Sequence, residues 1–109
     1  MDSGKLQQTL EAHVRWLRGE PNGKRADLTG TDVSGAALSR ANLRFAVLSG
    51  ANFHKADLHF ADLSLTDLRN ADLTEANLEY ADFSGADLRG AKRKDARELG
   101  ANLTGALLL

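Results

Sequence analysis

Three histidines, two pairs of aspartates spaced twenty residues apart and one run of basic residues are the groups in this sequence capable of acid–base, metal or phosphate chemistry. There is no cysteine, which excludes thiolate metal sites, thiol nucleophiles and a disulfide framework. His54 and His59 stand at outward positions with few other ligand types nearby, and they read as solvated surface residues rather than a metal pair. His13 falls within the apolar stripe of a predicted N-terminal helix and reads as a packing histidine, not a general base. Asp62 with Asp82, and Asp67 with Asp87, suggest cation binding by their spacing; yet aspartate recurs at that place throughout the chain, so we read them as structural. Lys92, Arg93, Lys94 and Arg97 can contact phosphate, but they lack interleaved aromatics and have Asp95 and Glu98 beside them, so a solvated distortion is the favoured reading. No Ser or Cys is set with a His and an orienting carboxylate, and no glycine loop cradles a phosphate. We therefore expect no enzyme, no cofactor and no metal.

What positions these groups is a five-residue unit written seventeen times from Ala26 to the C-terminus, as in ADLTG at 26–30, ANLRF at 41–45, ADLTE at 71–75 and ADLRG at 86–90. The first position is Ala except at Thr31 and Thr66; the third is Leu, Val or Phe except at Arg93 and Glu98. In an extended chain two residues that alternate point to one side, so positions one and three share a face. An odd period cannot continue as a flat strand without turning every second unit inside out. The chain must therefore turn once per unit, always in the same sense, and stack coils around a column of Ala and Leu. Gly at the fifth position of seven units fits a turn that needs a positive φ. Asp or Asn at the second offers a side-chain oxygen to the next turn's backbone.

Tandem A(D/N)LxX resembles the pentapeptide-repeat family over about three quarters of the chain. That resemblance implies an all-β solenoid, a right-handed quadrilateral β-helix with four units to a coil and the third residue at the centre of each face. The sequence holds one independent sign of the same count. Phe45 and Leu65 lie twenty apart, as do Phe60 and Tyr80, so a twenty-residue coil stacks each pair about 4.8 Å apart. About four coils follow, hence a rod roughly 20 Å long.

Residues 1–25 are predicted to be a capping helix and linker, with 26–109 the β-helix. Ser3 is expected to cap a helix from about Gly4 to Arg18 whose stripe is Leu6, Leu10, Val14 and Leu17, ended by Gly19 and Pro21. Covering the open end of the first coil is its simplest use, with Trp16 sealing the rim or, alternatively, stacking a ligand. The segment around His13 to Gly19 and Asn22 to Leu28 also resembles a leader found in some bacterial members of that family. No apolar run approaches the ~20 residues that span a bilayer, and residues 1–20 lack the apolar core of a signal peptide; no membrane association and cytoplasmic residence are the expectation. Residues 26–109 carry nine Lys/Arg against twelve Asp/Glu, too mild an imbalance to imply direct nucleic-acid binding.

Three departures from the pattern carry the functional expectations. From Arg40 to Tyr80 the fifth position is nearly free of Gly, and Phe45, Phe60, Leu65 and Tyr80 are predicted to form an exposed patch that binds a protein partner. The competing possibility is that the leader helix folds down the side and covers it. At 91–100 the unit breaks, since in register Arg93 and Glu98 would enter the column; a bulge or short helical turn carrying both charges to solvent is expected. At the far end Leu107, Leu108 and Leu109 offer a bare apolar edge through which two copies can pair, truncation of a longer natural chain being the competing explanation. A protein-interaction scaffold is thus the leading reading. The alternatives are a DNA mimic that binds DNA gyrase or another type II topoisomerase, as the family resemblance allows, and a purely structural repeat module.

Overall fold

In the computed structural model, which describes residues 1–109, α1 spans Ser3–Leu17. Its cap is Asp2, not Ser3: Asp2 is extended (φ −74°, ψ 160°) and its carboxylate accepts from the Lys5 amide at 2.7 Å, while Ser3 has already turned helical. The helix also lies rotated from the expected stripe. Leu6 and His13 are buried and Leu10 packs against the core, whereas Val14 and Leu17 stay at the edge. After Gly19 the chain doubles back, the Lys24 amide donating to Ala12 O at 2.9 Å. Only glycine fits at Gly23, because any β-carbon there would run into the backbone of Trp16. The helix and the residues before it thus lie against the first coil, with Leu6 in the buried cluster and bonds to the backbone of Ala26, Asp32 and Arg44.

From Asp27 onward the backbone makes no continuous strands. It makes thirteen isolated parallel bridges, each joining residue i to i+20, from Asp27↔Val47 to Asp87↔Leu107. One coil is therefore four units, as the spacing of the large apolar residues suggests. Around Phe60 the bonding repeats as Leu58 N to Asn77 O (2.8 Å) and Phe60 N to Glu79 O (3.0 Å) on the coil beyond. Asp57 N reaches Ala36 O (2.9 Å) on the coil before, and Ala61 N closes the turn on Leu58 O (3.0 Å). In this unit the backbone amides are thus satisfied by a neighbouring coil, by the turn itself or, for His59 N, by Asp57 Oδ1.

The column is a single cluster of 23 buried residues, nearly all first-position Ala and third-position Leu, Val or Phe. Thr66 replaces an Ala there without an orphaned hydroxyl, since Oγ1 donates to Leu63 O at 2.7 Å. The second-position Asp or Asn accepts from the amide two residues on in its own unit, as Asp62 does from Ser64 at 3.0 Å. This holds for Asp67, Asp82 and Asp87 as well, so the stacked aspartates brace turns.

The expected distortion at 91–100 is absent. The bridges Asp72↔Lys92 and Asn77↔Arg97 keep register, and Leu73 N and Leu78 N reach Lys92 O and Arg97 O at 2.7 Å each. Arg93 and Glu98 hold the third position and bond to one another (Nη1 to Oε1, 3.2 Å), with side chains 30% and 33% exposed. Leu107 is bridged to Asp87 on a different face, and the faces that carry Arg93 and Glu98 open to water. The two charges have a coil on one side and water on the other, so their desolvation is partial and their pairing offsets much of it. Leu107, Leu108 and Leu109 are all exposed beyond them.

Candidate partner-binding surface

Each fifth position from Gly30 to Gly105 has φ between 56° and 75°, whether or not it is glycine. The coil imposes the left-handed corner, and Arg40, Phe45, Lys55, Phe60, Leu65, Asn70, Glu75, Tyr80 and Asp95 adopt it at a steric cost of about 1–2 kcal/mol each. Glycine's conformational freedom is therefore not what selects it at 85 and 100. Space is: the Tyr80 ring lies over Gly100, and a β-carbon on Gly85 would stand 2.7 Å from Leu65 Cδ2. Gly100→Ala is expected to destabilise by about 2–4 kcal/mol, from the left-handed φ and this collision together, and by only the φ share of about 1–2 kcal/mol in a Tyr80→Ala background. A double-mutant cycle by urea denaturation reads the difference.

Phe45, Phe60, Leu65 and Tyr80 are 38, 47, 42 and 50% exposed, so α1 does not cover them. They form two ridges rather than one patch. Phe60 and Tyr80 stack at 5.0 Å between ring centroids with planes 15° apart, at the corner that follows units 56–60 and 76–80. Phe45 and Leu65 run along the next corner, and between the ridges lies a polar face carrying Asn42, Asp62 and Asp82 at its second positions. With the ring faces of Phe60 and Tyr80 turned on each other, the ridge offers edges and a phenol to its surroundings, which suits side-chain contacts better than base stacking.

Three arginines complete the surface. Arg40 lies 4.7 Å over the Phe60 ring and Arg44 5.0 Å over Phe45, while Arg25 lies 5.7 Å from the Trp16 centroid and donates from Nε to Phe45 O at 2.6 Å. These were absent from the sequence-based patch, although Arg25 and Arg40 stand twenty residues before Phe45 and Phe60, the same spacing that marks the ridges.

The other chemically capable residues are engaged elsewhere. His13 is fully buried: Nδ1 accepts from the Ala26 amide at 2.9 Å, and Nε2, 2.8 Å from Arg44 O, donates to it. In later coils those two backbone groups bond to the preceding unit or coil, which the first coil lacks. His13 supplies both partners, and burial pushes its pKa below the ordinary 6.5. Trp16 stacks on it at 5.5 Å. His54 Nδ1 pairs with Thr74 Oγ1 and His59 Nδ1 with Asp57 Oδ1, both at 2.7 Å; the His59 bond holds the Asp57 carboxyl below its usual range. Arg89 grips Asp87 through two nitrogens and holds its carboxyl down at about 2. Of the basic run, Arg93 pairs with Glu98 and Arg97 with Glu79 at 3.6 Å. No three His, Asp or Glu side chains are grouped to hold a metal ion. No helix is long and apolar enough to cross a membrane.

The family model for pentapeptide repeats matches at residues 24–59 and 51–90, in eight copies. Among solved structures the chain is similar to HetL of the cyanobacterium Nostoc sp. strain PCC 7120, a pentapeptide repeat protein involved in heterocyst differentiation regulation. The identity is 41% over 72% of this chain and 36% of that one, with a TM-score of 0.71. It is also similar to QnrB1, a plasmid-mediated fluoroquinolone resistance protein, at 30% identity over 76% of this chain and 51% of that one, with a TM-score of 0.39. A pentapeptide repeat protein of the cyanobacterium Cyanothece 51142, Rfr23, is 29% identical over 82% and 65%, with a TM-score of 0.35. No curated protein matches. The chain spans about a third of HetL's length and half of QnrB1's. With the twenty-residue coil, the Ala/Leu column and the family match over more than half its length, the chain belongs to the pentapeptide repeat family.

Proposed function

We propose that the chain is a non-enzymatic protein-binding scaffold, a rigid right-handed four-sided β-helix whose two ridges dock a partner protein. One observation carries this reading: four bulky apolar side chains sit exposed at positive φ, where glycine would serve the coil better. Strain kept at exposed positions points to use of the side chains. Phe45→Gly and Phe60→Gly are accordingly expected to leave thermal stability within about 1 kcal/mol of the parent, lost contacts being offset by relief of backbone strain. A loss of several kcal/mol would make the ridges structural.

The functional test is a pull-down with the parent chain and a Phe45→Ser, Phe60→Ser, Tyr80→Ser variant, both shown to fold by thermal melts. A partner held only by the parent supports the ridges as the working surface. Equal recovery, or none by either, moves the reading to a purely structural module.

Binding to DNA gyrase or another type II topoisomerase as a DNA mimic is less well supported. Residues 26–109 hold nine Lys/Arg against twelve Asp/Glu, and most of the aspartates serve their own turns. A gyrase supercoiling rate unchanged across micromolar protein rejects it. The exposed Leu107, Leu108 and Leu109 favour one further contact, pairing of two copies through that end. Light scattering should then show a dimer that Leu107→Ser, Leu108→Ser dissociates, and a monomer at high concentration disposes of it.

A further inference from the structure

We propose that the segment docking between the ridges is acidic: a partner peptide presenting Asp or Glu beside apolar side chains, with its carboxylates at the end nearest α1. This rests on the scaffold reading above and adds the chemistry of the occupant.

The argument is one of unpaired charge. Arg69, Arg89, Arg93 and Arg97 each lie within ion-pair distance of a carboxylate of the same chain. Arg25, Arg40 and Arg44 do not; all three are exposed, all belong to the turn nearest α1, and each guanidinium is laid beside an aromatic ring of this surface. Arg40 and Arg44, resting on rings, keep their edge N–H donors free, Arg25 giving its Nε–H to Phe45 O, and are held in place before a ligand arrives. That lowers the entropic cost of a fork-shaped contact with a carboxylate.

The same polar face changes sign along its length. Asp62 and Asp82, on the next two coils, have no cationic partner, and their carboxylates face the space between the ridges. An acidic residue is attracted at the Arg40 and Arg44 end and repelled beside Asp62 and Asp82. The apolar side chains of the segment meet Phe60, Tyr80, Phe45 and Leu65 on either side. Charge thus sets the direction and the ridges provide the area.

The test selects binders from a random 12-residue peptide library on the parent chain, then measures the enriched peptides by fluorescence anisotropy against the parent and an Arg40→Gln, Arg44→Gln variant. Arg25 is left in place because it bonds to Phe45 O. The expected pool is enriched in Asp and Glu next to aromatic or aliphatic residues. Its affinity falls about tenfold in the variant and also falls with added salt. A neutral or basic pool, or an acidic pool that binds the variant equally well, overturns the acidic assignment while leaving the scaffold reading intact if Phe60→Ser, Tyr80→Ser abolishes binding. A duplex DNA probe that binds the parent and is lost in the variant assigns the arginines to phosphate and overturns it too. A library that yields no binder to the parent overturns both readings. An unchanged melting temperature of the variant excludes unfolding as the cause of any loss.

Discussion

Leu73→Ala is expected to destabilise the chain by about 3 kcal/mol, within the 2–5 kcal/mol range of buried leucine truncations. Leu73→Arg is expected to prevent folding altogether. Leu73 is fully buried between Phe53 on the coil before and Arg93 on the coil after. Its neighbours cannot collapse into the gap, because the backbone at each level is fixed by bonds such as Leu73 N to Lys92 O. The cost therefore approaches the full transfer and cavity terms. The comparison with Arg93 makes the prediction sharp, since the unit position is the same and the chain already carries an arginine there. What differs is water, which reaches the Arg93 side chain, 30% exposed, and not the fully buried Leu73. Urea denaturation of Leu73→Ala, Leu73→Arg and Arg93→Leu checks this. A folded Leu73→Arg with near-parental stability would mean that the column is far looser than its burial indicates.

His13→Ala is expected to cost about 3 kcal/mol, because it strands the Ala26 amide and the Arg44 carbonyl in a place from which water is excluded, at about 1–3 kcal/mol per buried group. His13→Gln, which retains an acceptor and a donor, should recover part of the loss. The pH dependence follows from the lowered pKa, caused first by burial, then opposed by the bond to Arg44 and assisted by nearby Arg25. The folded state needs Nδ1 unprotonated to accept from Ala26. Below the unfolded value of 6.5 the unfolded chain binds a proton that the folded chain resists, so the stability from His13 is fully present above pH 6.5 and is lost as pH falls below it. Protonation turns Nδ1 into a donor facing a donor, with Arg25 adding a like charge. The difference in melting temperature between the parent and His13→Ala should therefore shrink on acidification. A constant difference would show that His13 takes up its proton alike in both states and is not held as described.

Much of this fold is legible in the sequence because one small and one large residue alternate at fixed places, and only a turning chain can bury both. The coil count came from the family resemblance, and the spacing of Phe45 to Leu65 and Phe60 to Tyr80 agreed with it. Local pattern failed where the surroundings decide. Arg93 and Glu98 look incompatible with a column until it is known that they pair with one another and that each is about a third exposed. Glycine at position 100 looks like a turn residue, whereas the turn accepts any residue and the neighbouring ring demands the space. Two bonds from a single imidazole, at residues 13 and 31 positions distant, leave no periodic trace. Of the surface, the apolar members were found by their size. The arginines were missed because exposed basic residues are ordinary until their partners can be counted.

The step of twenty residues has a consequence for how such a chain changes over time. A gene built of near-identical units is prone to slippage during copying, and the gain or loss of one unit keeps inside and outside correct, so the product still folds. It also rotates everything downstream by a quarter turn. A slip between Phe60 and Leu65 would part Phe60 from Tyr80 and Phe45 from Leu65, dismantling both ridges without altering any residue of them. Only a slip of four units restores both. Descent in a chain of this kind can therefore conserve its architecture through insertions and deletions that erase its recognition surface in a single event.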